Sequence, residues 1–280
     1  MNEVTNQVNS NISLQFWGVR GEIATPGKET VLYGGNTSCL QIKIGEKCLI
    51  FDAGTGIREL GNKFLSQMPI EAYMFFTNCH WDRIQGFPFF VPAFIPGNKF
   101  HIYGSQVANG STFEQRLSKQ MLGPNFPVSI ALMASQLKFN NLSVGKVETL
   151  DNITIETEFL NYEHRSIGYR VNCDDFSIVY ATDIKKNSAI LTKNLLNLAK
   201  NADLLIINNP HQKQFSSFNK ENDFWLNYLE IINTAKVKQV ILSTYHPEHN
   251  DEDLEKLEFI LQKDFPCTSL AREGKIINLN

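Results

Sequence analysis

The most constraining stretch of this chain is Phe76-Thr77-Asn78-Cys79-His80-Trp81-Asp82-Arg83-Ile84-Gln85-Gly86, which follows directly on the apolar run Ala72–Phe76. That run reads as a buried strand, and it gives way at once to an amide, an imidazole, a carboxylate and a guanidinium. Cys79 sits beside His80, but neighbouring extended residues point to opposite faces, so its expected role is packing rather than nucleophilic attack. A second strand-to-turn junction stands upstream at Phe51-Asp52-Ala53-Gly54-Thr55-Gly56. Its Gly54-x-Gly56 pair is too short to cradle a phosphate, and Asp52 and Thr55 are expected to support the turn.

The pattern around these junctions mixes strands and helices along the whole chain. Alternation and β-branched or aromatic content predict strands at Ser13–Trp17, Cys39–Ile44 and Lys47–Asp52, the last two joined by a tight turn at Gly45-Glu46. Ile57, Leu60, Phe64 and Leu65 recur at helical spacing before Pro69. Phe87–Pro96 reads as a short helix and loop and Phe100–Tyr103 as a strand; Ser111 to Gly145 is the least readable part. Strands follow at Ile153–Leu160, Ile167–Val171, Phe176–Tyr180, Leu204–Ile207 and Gln239–Ser243, with helices at Ser188–Lys200, Asp223–Thr234 and Asp251–Lys263. The expected fold class is α/β, a flexible segment 1–10 followed by a single domain 11–280.

Composition narrows the function classes. The 42% hydrophobic content of 280 residues is enough for a full core. The 26 basic against 29 acidic residues leave a net charge of −3, which gives no strong nucleic-acid signal and no attraction to anionic membranes. Five scattered cysteines without C-x-x-C spacing point to reduced thiols rather than a disulfide framework or zinc ribbon. No apolar run approaches the ~18 residues of a membrane span, and no signal peptide is expected, so the chain is placed in the cytoplasm.

The segment 76–86 resembles the His-x-His-x-Asp-His motif of the metallo-β-lactamase superfamily. Phe16-Trp17-Gly18-Val19-Arg20-Gly21, Tyr33-Gly34-Gly35-Asn36-Thr37-Ser38-Cys39, Phe51–Gly56, Gln85-Gly86-Phe87-Pro88-Phe89-Phe90, Gly168-Tyr169-Arg170, Tyr180-Ala181-Thr182-Asp183 and Ala202–Ile206 extend the resemblance, in order, over nearly the whole chain. They are similar to the phosphodiesterase-like hydrolase branch. The resemblance implies a four-layer αββα sandwich with its active site at one edge, between the sheets, and members that often self-associate, so a homo-oligomer is left open.

It also implies two metal ions, and here the residues depart from it. The first ion's ligands would fall at Asn78, His80 and Tyr162, the second's at Asp82, Arg83 and Thr244-Tyr245, with Asp183 bridging both; only His80, Asp82 and Asp183 retain ligand types. A guanidinium is always charged and cannot coordinate a metal, so Arg83 is expected to replace the second ion's charge by pairing with Asp82, Asp183 or both. Imidazoles near the vacated places are His164, His211, His246 and His249. One of them, with His80 and Asp183, would reach the minimum ligand count for a catalytic zinc. In extended chain, however, a two-residue shift moves a side chain roughly 6–7 Å, so compensation requires a rebuilt loop.

The reading these substitutions favour is a non-catalytic ligand-binding or regulatory module with no metal or other cofactor, whose pocket takes a nucleotide or another anionic small molecule, or whose rim takes a protein partner. The alternative is an active phosphodiesterase-like hydrolase using zinc, manganese or iron at a remodelled mononuclear site. Phe87, Phe89, Phe90, Phe94 and Trp81 are expected to be mainly packing near the mouth of that site, with base stacking as the functional alternative.

Overall fold

The computed structural model describes residues 11–105, 110–185, 188–208 and 230–279. The segment 1–10, His211 and most of the helix expected at Asp223–Thr234 lie outside them; residues 230–235 are helical. Strict alternation drives the first sheet. In β1 (Ile12–Gly18) every second residue is buried, and it pairs antiparallel with β2 (Cys39–Ile44), which turns through Gly45 into β3 (Lys47–Phe51). Gly45 has φ +55°, which a side chain would strain. Helix α1 (Ile57–Phe64) buries Ile57, Leu60, Gly61 and Phe64, while Leu65, read as part of the same stripe, is exposed.

Strands β4 (Glu71–Phe75), β5 (Lys99–Ser105) and β6 (Gln136–Leu142) then add in parallel. Between them lie helix α2 (Trp81–Ile84), two 3₁₀ turns at Phe87–Phe89 and Val91–Phe94, and helix α3 (Phe113–Gln120) with a Thr112/Gln115 capping box. The second half contributes β7 (Glu148–Leu150), β8 (Ile153–Asn161), β9 (Ser166–Cys173), β10 (Phe176–Ala181), helix α4 (Ala189–Ala199), β11 (Leu204–Asn208), β12 (Gln239–Ser243), the helix Asp251–Asp264, β13 (Thr268–Leu270) and β14 (Ile276–Leu279). Two seven-stranded sheets result, ordered β14-β1-β2-β3-β4-β5-β6 and β13-β12-β11-β10-β9-β8-β7.

Phe51 and Phe75 of the first sheet meet Tyr169 of the second at 5.5 and 5.7 Å between ring centroids, so the main core is the space between the sheets. On the outer face of the first sheet, Ile50, Met74, Phe76, Phe100 and Ile102 pack with α1, α3 and the phenylalanines of the 3₁₀ turns. Leu195 and Leu198 of α4, with Leu254, Leu257 and Leu261, join the core that includes the second sheet. This is the expected αββα arrangement. No helix among the described residues is long and apolar enough to cross a membrane.

One surface contact in the β4–β5 pair sets a pH dependence. Glu71 accepts hydrogen bonds from Lys99 Nζ and His101 Nε2, each at 2.7 Å, and these donors pull its carboxyl down from 4.5 to about 2. A depressed folded-state value contributes stability above pH 4.5 that is lost as the pH falls toward 2. Glu71→Gln is therefore expected to flatten part of the decline in melting temperature between pH 5 and pH 2. Parallel declines for native and variant protein would exclude the linkage.

Candidate functional site

Strand ends converge at one edge of the sandwich. The end of β4 continues into Phe76 and Thr77, whose carbonyl oxygens accept from the Tyr169 hydroxyl (2.5 Å) and the Ile167 N–H (2.8 Å) of β9, tying the two sheets together there. Asp52 closes β3 and Asp183 follows β10, both non-glycine residues with positive φ (60° and 59°). Such backbone conformations persist only where the surroundings over-determine them.

Asp52 is fully enclosed. Its carboxylate accepts from the Thr77 N–H (2.8 Å) and hydroxyl (2.9 Å), from Arg83 Nη1 (3.0 Å) and from the Tyr180 hydroxyl (3.2 Å). Burial pushes its carboxyl up, against Arg83 and the Thr77 donors, which favour the ionised form. Arg83 is 3% exposed, and its Nε lies 3.1 Å from Asp82 Oδ2. Burial alone would lower the guanidinium's pKa, but the neighbouring Asp82, Tyr180 and Asp52 raise it above its ordinary value. Burial also raises the Tyr180 phenol, which keeps it a donor. The expected pairing of Arg83 with Asp82 is present. The second carboxylate it contacts is Asp52 rather than Asp183, because Asp52 closes the neighbouring strand β3.

Asp183 belongs to a separate group. Its Oδ2 accepts from the hydroxyl of buried Ser166 and from Asn78 Nδ2 (3.1 Å), and Asn78 Nδ2 also lies 3.0 Å from Ser166 Oγ. Asn78 Oδ1 accepts the His80 N–H at 2.9 Å, so the amide is fully engaged in orienting its neighbours. His80 Nδ1 stands 3.8 Å and His164 Nδ1 3.3 Å from Asp183 Oδ2, and the two imidazoles meet edge-on with centroids 4.5 Å apart. Burial holds the His80 imidazole below its ordinary pKa, which favours its neutral form. His80, His164 and Asp183 are the one group of three His, Cys, Asp or Glu side chains among the described residues whose ligand atoms all lie within 4.8 Å of one another.

His164 reaches this position because the strand arithmetic does not apply to it. Asn161 at the end of β8 accepts the N–H groups of Glu163 (3.1 Å) and His164 (3.3 Å) on its side-chain oxygen, and Arg165 adopts φ +53°, so the chain folds back within the turn. Tyr162 is 51% exposed and packs on Phe159. The late positions are not brought into the group. The Tyr245 hydroxyl donates to the Leu242 and Ala271 carbonyls (3.1 and 2.6 Å), and its ring lies against Tyr33 and Arg20. Half-buried Thr244 packs beside Gly21. His246 and His249 face each other at 5.8 Å, with Glu22 and Glu248 beside His246. Among the aromatic residues, Phe87 and Phe90 are core, whereas Trp81 and Phe89 are exposed. Cys79 is half-buried and burial pushes its thiol up to about 11, consistent with packing. Thr55 exchanges two 2.8 Å hydrogen bonds with Thr37 and supports the turn.

No family model and no curated protein matches the chain. Solved structures do. The metallo-beta-lactamase fold protein YhfI from Bacillus subtilis superposes with TM-score 0.67 at 15% identity, over 96% of this chain and 100% of that one. A diphosphatase of the PhnP family gives 0.66 at 15% identity, over 96% and 98%. Human tRNase Z, short form, gives 0.62 at 14% identity, over 95% and 98%. The chain has the metallo-β-lactamase fold.

Proposed function

We propose that this chain is a metallo-β-lactamase-fold protein in which two-ion hydrolysis has given way to ligand binding or regulation. The observation that carries the reading is Arg83. Its buried guanidinium lies between the carboxylates of Asp82 and Asp52 at hydrogen-bonding distance. A fixed cation there removes any need for a second metal charge and cannot polarise water or bind a phosphoryl oxygen as a Lewis acid would. Tyr245, directed into the core, offers nothing to a second ion either. The residues therefore do not fit the dinuclear centre that the sequence resemblance implies.

The ligand class that fits best is a nucleotide or another phosphorylated small molecule. Half-exposed His80 and His164 stand where the two sheets meet, and proteins of the same fold include a diphosphatase and tRNase Z. With zinc, manganese or iron supplied, an activated phosphodiester such as bis(p-nitrophenyl) phosphate is expected to turn over no faster than with the metal salt alone. Isothermal titration with nucleoside mono- and diphosphates is expected to give saturable heat. Turnover that disappears in Asp183→Asn would overturn the non-catalytic reading, and absence of heat with every nucleotide would remove its ligand part.

A further inference from the structure

We propose that His80, His164 and Asp183 form a site for a single divalent transition-metal ion, with His164 contributing its Nδ1 atom. The inference rests on the reading above only in assigning the second ion's charge to Arg83. It concerns binding, not turnover.

The side chains around the trio hold it in shape. Asp183 is oriented by the Ser166 hydroxyl and the Asn78 amide, both donating to the same carboxylate oxygen. Metal-ligating carboxylates are characteristically held in this way by outer hydrogen bonds. His164 is positioned by Asn161, whose side-chain oxygen is committed to two backbone N–H groups, which leaves its Nδ2 as a donor 3.2 Å from His164 Nδ1. A nitrogen that accepts from Asn161 carries a lone pair, yet it stands 3.3 Å from Asp183 Oδ2, itself an acceptor. A proton on Nδ1 would satisfy Asp183 but set two N–H groups against each other at Asn161. A cation shared by the carboxylate and the two imidazoles removes the repulsion between acceptors; the single Nδ1 lone pair then goes to the ion, and the Asn161 amide turns its N–H to solvent.

The ligand set selects the class of ion. Two imidazoles and one carboxylate suit zinc, cobalt, nickel or iron, whereas magnesium and calcium prefer sites of oxygen ligands alone. With the His80 and His164 side chains 42% and 46% exposed, the site is accessible from solvent. Asn78 and Tyr162 take no part as ligands; His164 supplies by a turn what they do not.

The test uses the full chain, stripped with chelator and titrated with Zn²⁺ and Co²⁺ by calorimetry, with the visible absorption of Co²⁺ followed in parallel and Mg²⁺ and Ca²⁺ as controls. One ion per chain is expected, with a cobalt d–d band that zinc abolishes and no competition from magnesium. His164→Ala and Asp183→Asn are each expected to weaken binding at least about 100-fold, and Ser166→Ala about tenfold. His246→Ala should leave it unchanged. Circular dichroism separates lost binding from lost folding, and His164 in its exposed turn is the variant least able to disturb the core. Two ions per chain, equal affinity for magnesium, no binding, or full affinity in His164→Ala would overturn the site and leave His164 as a hydrogen-bond partner only. Two ions per chain would also overturn the assignment of the second ion's charge to Arg83; the other outcomes leave the phosphodiester and nucleotide assays untouched, so failure of the site and failure of the reading above are distinguishable.

Discussion

Arg83→Met is expected to destabilise the protein by about 3–5 kcal/mol, the cost of removing one partner from a buried ion pair. Methionine fills much of the same volume, so the effect isolates charge. Without the guanidinium, Asp52, already pushed up by burial, keeps only Thr77 and Tyr180 as donors, and Asp82 loses its charged partner. A double-mutant cycle with Asp52→Asn separates the pair from the general cost of altering the core. The combined variant is expected to be more stable than the sum of the two single losses implies, because no buried carboxylate remains at position 52 to be neutralised. Guanidinium chloride midpoints measure all four proteins; a loss below about 1 kcal/mol for Arg83→Met would put the guanidinium outside the stabilising network. Arg83→His is expected to be destabilised as well and to gain no second ion, since Tyr245 stays turned into the core.

Gly86→Ala is expected to cost about 3 kcal/mol or more, at or beyond the upper end of ordinary overpacking. Gly86 has an ordinary φ of −84°, so the constraint is space rather than backbone conformation. A methyl group there would lie 2.0 Å from the Gly54 carbonyl oxygen and 2.8 Å from Ile57 Cγ2. The obstacle is backbone, and it cannot move without breaking the Ala53 N–H to Arg83 carbonyl bond (2.7 Å) and the Gly86 N–H to Ala53 carbonyl bond (2.9 Å) that lock the turn after β3 to α2. Gly27→Ala is the control: nothing lies within 4 Å of its added carbon, and its effect should stay within about 0.5 kcal/mol. Equal denaturation midpoints for the two alanine variants would show that the turn can open without cost.

What the residue pattern determined alone was the scaffold. β2 and β12 occupy the expected Cys39–Ile44 and Gln239–Ser243, and β1, β3, β4, β5, β8, β9, β10 and β11 fall within two residues of their expected bounds, because their buried faces impose alternation or apolar runs. The four strands with no counterpart in the sequence reading, β6, β7, β13 and β14, are the four edges of the two sheets. Edge strands are short or polar and bury little, so Gln136–Leu142, with its two asparagines, carries almost no periodic signal. That Arg83 cannot be a metal ligand and would pair with a carboxylate was also legible, since the chemistry of a guanidinium does not depend on context, and its pairing with Asp82 is present.

Tertiary structure alone decided which groups meet. Asp52, rather than Asp183, joined Arg83 because it ends the neighbouring strand, a relation that residues 31 positions apart do not reveal. His164, rather than His246 or His249, joined His80 and Asp183 because Asn161 folds one turn back on itself through two side-chain hydrogen bonds. Strand and helix periods repeat along the chain and can be read from it. A turn is set by a few local hydrogen bonds and by what its ends must connect, and those become visible only once the sheets have been brought together.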